Sequence, residues 1–126
     1  MKVLLADDSC LILERLQEMI QKVKHVEIAG SFTNGTDTLS ALIKLKPDLA
    51  IVDLKMPGLS GLQVLNAIRN ENKILKFIIL TFCSSDYYQV LAMQSGADYF
   101  FSKVDDFDKV SLVIEEMVAK EDEFIN

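Results

Sequence analysis

The stretch LAIVDLKMPGLSG, residues 49–61, decides how the rest of the chain is read. Leu49–Val52 are apolar without a break, and Asp53 follows them directly. A short unbroken apolar run suits a strand covered on both faces, as strands of a parallel sheet are. Pro57 and Gly58 then turn the chain. Ser60 stands where an N-cap would open a helix carrying Val64, Leu65 and Ile68 at helical spacing. A buried strand that ends on a carboxylate needs a reason, because an unpaired buried charge is costly.

Working outward, short apolar runs alternate with longer segments of helical period. The strand candidates are Lys2–Ala6, Val26–Gly30, Leu49–Asp53, Phe77–Thr81 and Asp98–Phe101. Between them lie four further apolar faces: Leu13, Leu16, Ile20 and Val23; Leu39, Leu42 and Ile43, stopped by Pro47; Val90, Leu91 and Met93, stopped by Gly96; and Phe107, Val110, Ile114, Met117 and Val118, with Asp106 as N-cap. Strands separated by helices run parallel through right-handed crossovers. The fold class is therefore α/β: one domain over residues 1–126, a doubly wound five-stranded parallel sheet, (βα)5. The more polar VEIAG, residues 26–30, suits an edge strand.

With 126 residues, half of them hydrophobic, the chain is long enough for one core. Thirteen Lys and Arg against 19 Asp and Glu give a net charge of −6. That balance argues against binding to nucleic acid or to an anionic membrane, since no basic run offsets it. Cys10 and Cys83 match no metal-binding spacing and suit a reduced, cytoplasmic setting. Cys10 reads as a small core residue and His25 as a surface loop residue. No apolar run approaches membrane-spanning length.

In a parallel sheet the carboxyl ends of all strands lie along one edge, where open α/β sheets bind their ligands. Asp7 and Asp8 follow the first strand candidate, Asp53 and Thr81 close the third and fourth, and Lys103 follows the fifth by two residues. Three carboxylates in one place repel, at roughly 1 kcal/mol per pair at 4 Å in water and several times that near a protein interior. A divalent cation removes the difficulty. Magnesium takes one or two carboxylates, keeps waters and shares a phosphate oxygen. One carboxylate can then act as nucleophile toward a phosphoryl donor, while Lys103 and the Thr81 hydroxyl meet other phosphoryl oxygens.

With LLADDS, VDLKMPGLSGL, ILT and SGADYFFSK in this order and spacing, the chain resembles the receiver domains of two-component response regulators over nearly its whole length. The resemblance implies a flavodoxin-like strand order 2-1-3-4-5. It implies Asp53 as phosphoacceptor, with a histidine kinase or phosphotransfer protein as donor. Magnesium, or manganese in its place, would be held by Asp8, Asp53 and the Lys55 backbone carbonyl, and by Asp7 through a water. Thr81 and Lys103 would bind the phosphoryl group, and Phe100 would take the aromatic switch position. The output would leave by the face of the fourth helix, fifth strand and fifth helix, toward a downstream protein or an output domain, with a phosphorylation-dependent dimer as one form. The residues around Leu5–Ser9 and Gly96–Lys103 resemble receivers that precede a helix-turn-helix output. Such a domain is not an enzyme, although it takes part in its own phosphorylation and dephosphorylation.

Phe82 departs from the family, which carries a small residue after the threonine, and so would narrow access to the site. Val104 stands where the family has proline, so the Lys103–Val104 bond is expected trans. Lys55 and Cys83 occupy positions that tune phosphoryl lifetime in the family. Three other readings compete. The first is a flavodoxin-type FMN carrier or small flavodoxin-like enzyme; flavodoxins need a hydroxyl- and glycine-rich loop after the first strand, where this chain has ADDSC. An aspartate phosphatase needs a D-x-D pair there. A degenerate receiver, serving only as a binding module, would have lost part of the set.

Overall fold

The computed structural model describes residues 1–125, with side chains through residue 122. Ten elements alternate: β1 (Lys2–Ala6), α1 (Cys10–Gln21), β2 (Glu27–Phe32), α2 (Gly35–Leu45), β3 (Leu49–Val52), α3 (Gly61–Arg69), β4 (Lys76–Thr81), α4 (Asp86–Gln94), β5 (Tyr99–Ser102) and α5 (Lys109–Ile125). The strands pair in parallel in the order β2-β1-β3-β4-β5. Both the (βα)5 architecture and the implied strand order are therefore observed.

Side-chain alternation along the strands divides the core in two. Leu4, Ala6, Ala50, Val52, Phe77 and Ile79 meet Leu42 of α2, Val64, Leu65 and Ile68 of α3, and Ala92 of α4. Val3, Leu5, Leu49, Ile51, Ile78 and Leu80 meet Leu13, Leu16 and Ile20 of α1 and Val110, Ile114 and Val118 of α5. This is why LAIV carries no polar position: each face of β3 has its own helices to cover it.

Local signals fix the helix ends. Ser9 Oγ accepts the Ile12 N–H at 3.3 Å to open α1. Ser60 and Gln63 form a reciprocal capping box at α3. Gly96, at φ +103°, takes the left-handed position beyond α4.

Several expectations are corrected. β2 runs from Glu27 to Phe32, because β1 pairs with it as far as Ala6 opposite Phe32. β5 is Tyr99–Ser102. Asp98 is a corner residue whose carboxylate accepts the Phe77 N–H at 2.8 Å. Asp106 is no N-cap, since α5 begins at Lys109. Its carboxylate instead accepts the Ser102 N–H at 2.9 Å and pairs with Lys109 at 2.8 Å. Both interactions hold its pKa below the ordinary value, the Lys109 contact first. Ile43 is exposed, and Thr38 and Ala41 take the buried face of α2 with Leu42. Val90 and Met93 are exposed, leaving Ala92 as the one buried residue of α4. Cys10 is exposed as well.

At the amino edge of the sheet, the half-buried Arg69 ties three segments together. Its guanidinium donates to the Gly96 carbonyl at 2.8 and 3.0 Å, to Leu75 O at 2.7 Å, to Asn72 O at 3.1 Å and to Asp98 at 3.3 Å. Arg69→Met should lower stability to urea by about 2–3 kcal/mol, the worth of hydrogen bonds to a charged group. Arg69→Lys should recover little of it, because an ammonium cannot span these carbonyls.

Candidate functional site

The order β2-β1-β3 places the switch point of the sheet between β1 and β3, where successive crossovers depart to opposite sides. The chain leaves β1 through Asp7 and Asp8, and β3 through Asp53. Backbone bonds extend the sheet one residue beyond each strand: Asp7 N–H donates to Phe32 O at 3.0 Å and Asp53 N–H to Ala6 O at 2.9 Å. Both carboxylates thus stand on sheet backbone rather than on mobile loop.

Carboxylate oxygens of Asp7, Asp8 and Asp53 lie within 4.8 Å of one another. Asp7 and Asp53 are buried and Asp8 is exposed, so the cluster opens to solvent on one side. Lys103 enters from the β5–α5 loop, its own N–H bonded to Thr81 O at 2.9 Å. Its buried ammonium meets Asp7 at 2.6 Å and Asp53 at 3.1 Å. Burial pushes the Asp7 carboxyl above the ordinary carboxylate value. The Lys103 ammonium and the Ser9 N–H at 2.8 Å oppose that rise, and the Asp53 charge adds to it.

The remaining residues singled out from the sequence fall around this centre. Thr81 is buried at the end of β4, and its Oγ1 accepts the Cys83 N–H at 3.0 Å. Phe82 is 63 % exposed, and its ring centroid lies 4.8 Å from the Lys103 ammonium. The Lys55 side chain projects into solvent. Its pKa is raised, mainly by the Cys83 thiol beside it and to a smaller degree by Tyr88 and Asp53. Phe100 is half-buried on β5 against the core layer shared with α2, α3 and α4. No peptide bond among the described residues is cis, the Lys103–Val104 bond included.

Two supporting residues escaped the sequence reading. Ser9 caps α1 and also donates its N–H to Asp7. Gly61 lets the first turn of α3 press on the acidic segment, since a Cβ there would stand 2.2 Å from the Asp53 carbonyl oxygen. Its signal was a glycine directly after an N-cap serine, where no turn requires one.

The donor set is all oxygen, partly buried and open on one side, which fits a hard divalent cation that keeps some of its waters. A buried amine beside it can meet an oxyanion. Such a set, at the switch point of a doubly wound sheet, could hold a cation beside an oxyanion.

The family model of the response regulator receiver domain matches residues 3–115. Response regulator GacA of Pseudomonas aeruginosa is 28 % identical over 118 residues, which cover 94 % of this chain and 55 % of that protein. The nitrate/nitrite response regulator protein homolog of Haemophilus influenzae is 32 % identical over 105 residues, 82 % of this chain and 50 % of that protein. A crystal structure of a LuxR-family DNA-binding response regulator from Staphylococcus aureus superposes with a TM-score of 0.84 at 25 % identity, covering 91 % of this chain and 96 % of that one. The chain belongs to the response-regulator receiver family, the phosphorylation-responsive modules of two-component signalling. It spans about half the length of the curated relatives it matches.

Two outcomes follow from the geometry. Because the folded-state pKa of Asp7 is raised, the fold holds a proton that the unfolded chain has already lost as pH climbs above the ordinary carboxylate value. Stability therefore falls as pH rises through that window and stays lower above it. Asp7→Asn should raise the thermal midpoint at pH 7 in chelator, and the gain should shrink as pH is lowered toward 4. Gly61→Ala must shift backbone at Asp53, since the clash is with a carbonyl. It should cost about 1–3 kcal/mol, the range for overpacking, read as a lowered urea midpoint.

Proposed function

We propose that the chain is a phosphorylation-dependent switch in which Asp53 accepts a phosphoryl group from the phosphohistidine of a histidine kinase or phosphotransfer protein. The observation that carries the reading is the pairing of three clustered carboxylates with one buried amine that touches two of them. Asp8, Asp53 and the Lys55 carbonyl would hold magnesium, with Asp7 acting through a water. The cation would supply charge compensation and polarise a phosphoryl oxygen.

In the transfer, an Asp53 carboxylate oxygen forms the new bond to phosphorus as the phosphorus–nitrogen bond of the donor breaks. The electron pair of that bond stays with the imidazole nitrogen. The Lys103 ammonium, already 3.1 Å from Asp53, meets a phosphoryl oxygen. The Thr81 hydroxyl donates to another, since the Cys83 N–H uses only its acceptor side. Lys55 and Cys83, adjacent at the rim, tune how long the phosphoryl group survives. Phe100 turns inward as Thr81 moves. The phosphorylated packing becomes the favoured one of two.

Output runs through α4, β5 and α5, toward a separate protein or toward a further domain of the kind that could fill the relatives' remaining length. A dimer formed on phosphorylation is one form it takes. Two free cysteines suit a reducing cytoplasm, and no helix among the described residues is long and apolar enough to cross a membrane. Incubation with magnesium and a small acyl phosphate should add one phosphoryl group by intact mass. Asp53→Asn should abolish the adduct. An undiminished adduct on the variant would place the acceptor elsewhere, and no adduct on the native protein would leave the binding-module reading.

A further inference from the structure

Phe82 is exposed yet has a fixed neighbour. A phenylalanine that is 63 % exposed gains less from burial than a core one, which leaves room for another cause of its contact with the site. The Lys103 ammonium lies 4.8 Å from the ring centroid, within the roughly 6 Å at which an aromatic face attracts a cation. The same ammonium is almost fully enclosed, with Asp7 at 2.6 Å and Asp53 at 3.1 Å. An attraction to an aromatic face strengthens as the cation loses water, and this cation has lost most of its own.

We infer that Phe82 is a positioning residue: its ring face holds the Lys103 ammonium at the mouth of the acidic pocket, in place for an incoming oxyanion. The inference rests on the proposed function for its consequence, though not for the contact. Lys103 extends a long flexible stem across to Asp53 from the β5–α5 loop. Two carboxylates alone pull its head toward the pocket floor. When a cation or phosphoryl group takes over those carboxylates, the ring remains as a partner of the ammonium that does not compete for the phosphoryl oxygen. The ammonium therefore keeps one fixed neighbour while its anionic partners change. Bulk at this position restricts access as well, and the electrostatic role is separable from it.

Fluorination of the ring makes that separation. Successive fluorine atoms weaken the negative ring face and leave its bulk nearly unchanged. Phenylalanines with one, two and three fluorines would be installed at position 82 of the full chain, in the native background and with Lys103→Met. Unfolding equilibria without magnesium report the contact itself. In the native background stability should fall stepwise with fluorine number, relative to the Lys103→Met background. The total should be roughly two- to thirty-fold in the unfolding constant, the span of a cation–ring contact from exposed to desolvated. The rate of adduct formation from a small acyl phosphate should fall in the same order. A series flat in stability would overturn the contact. A series that falls in stability but is flat in rate would overturn the positioning role. Absence of an adduct on the unmodified protein would count against the proposed function, and the stability arm would still decide the contact.

Discussion

The site depends on one constraint: two buried carboxylates and one buried amine must share a space that carries net negative charge. Asp7 and Asp53 both lie on Lys103, and Asp8 adds a third anion at the solvent side. A buried ion pair gains stability only where geometry and extra hydrogen bonds offset desolvation. Here the Ser9 N–H supplies one such bond, and the raised pKa of Asp7 shows that the offset is incomplete. An incompletely neutralised pocket is a weak point in the resting protein, and it is also an attraction for a cation. The arrangement gives up stability at the place where a cation could bind.

The parallel sheet makes this constraint satisfiable. Strands that all run one way bring residues 7, 53, 81 and 103 to one edge, although the chain spends its length travelling between them. At the opposite edge, Arg69 gathers the ends of α3 and α4 with the starts of β4 and β5. One end of the molecule is tied by hydrogen bonds to backbone, and the other carries the charged groups of the candidate site.

Much of this was legible in the sequence because two periodicities and one rule sufficed. Apolar runs marked β1, β3 and β4, and parallel topology then carried every residue that follows a strand to the same place. Where the sequence misled, a local signal was overruled by another local contact or by the face a residue takes. Asp106 looks like a cap, yet its carboxylate is taken by the Ser102 N–H and Lys109. Cys10 sits on the solvent side of α1, while Leu13, Leu16 and Ile20 fill the inner stripe. The role of Gly61, marked only as an unexplained glycine after a cap, and that of Arg69 escaped for another reason. The role of each is set by which backbone carbonyl lies against it, and no pattern along the chain reports that.

α4 is attached to the body of the protein by very little. Its one fully buried side chain is an alanine, and Tyr87, Val90 and Met93 spend their apolar surface on solvent. The segment leading into it starts from the Thr81 hydroxyl, through the Cys83 N–H. A helix with so small an anchor is displaced at low energetic cost. Sliding or tilting this rod would therefore disturb the remaining architecture least.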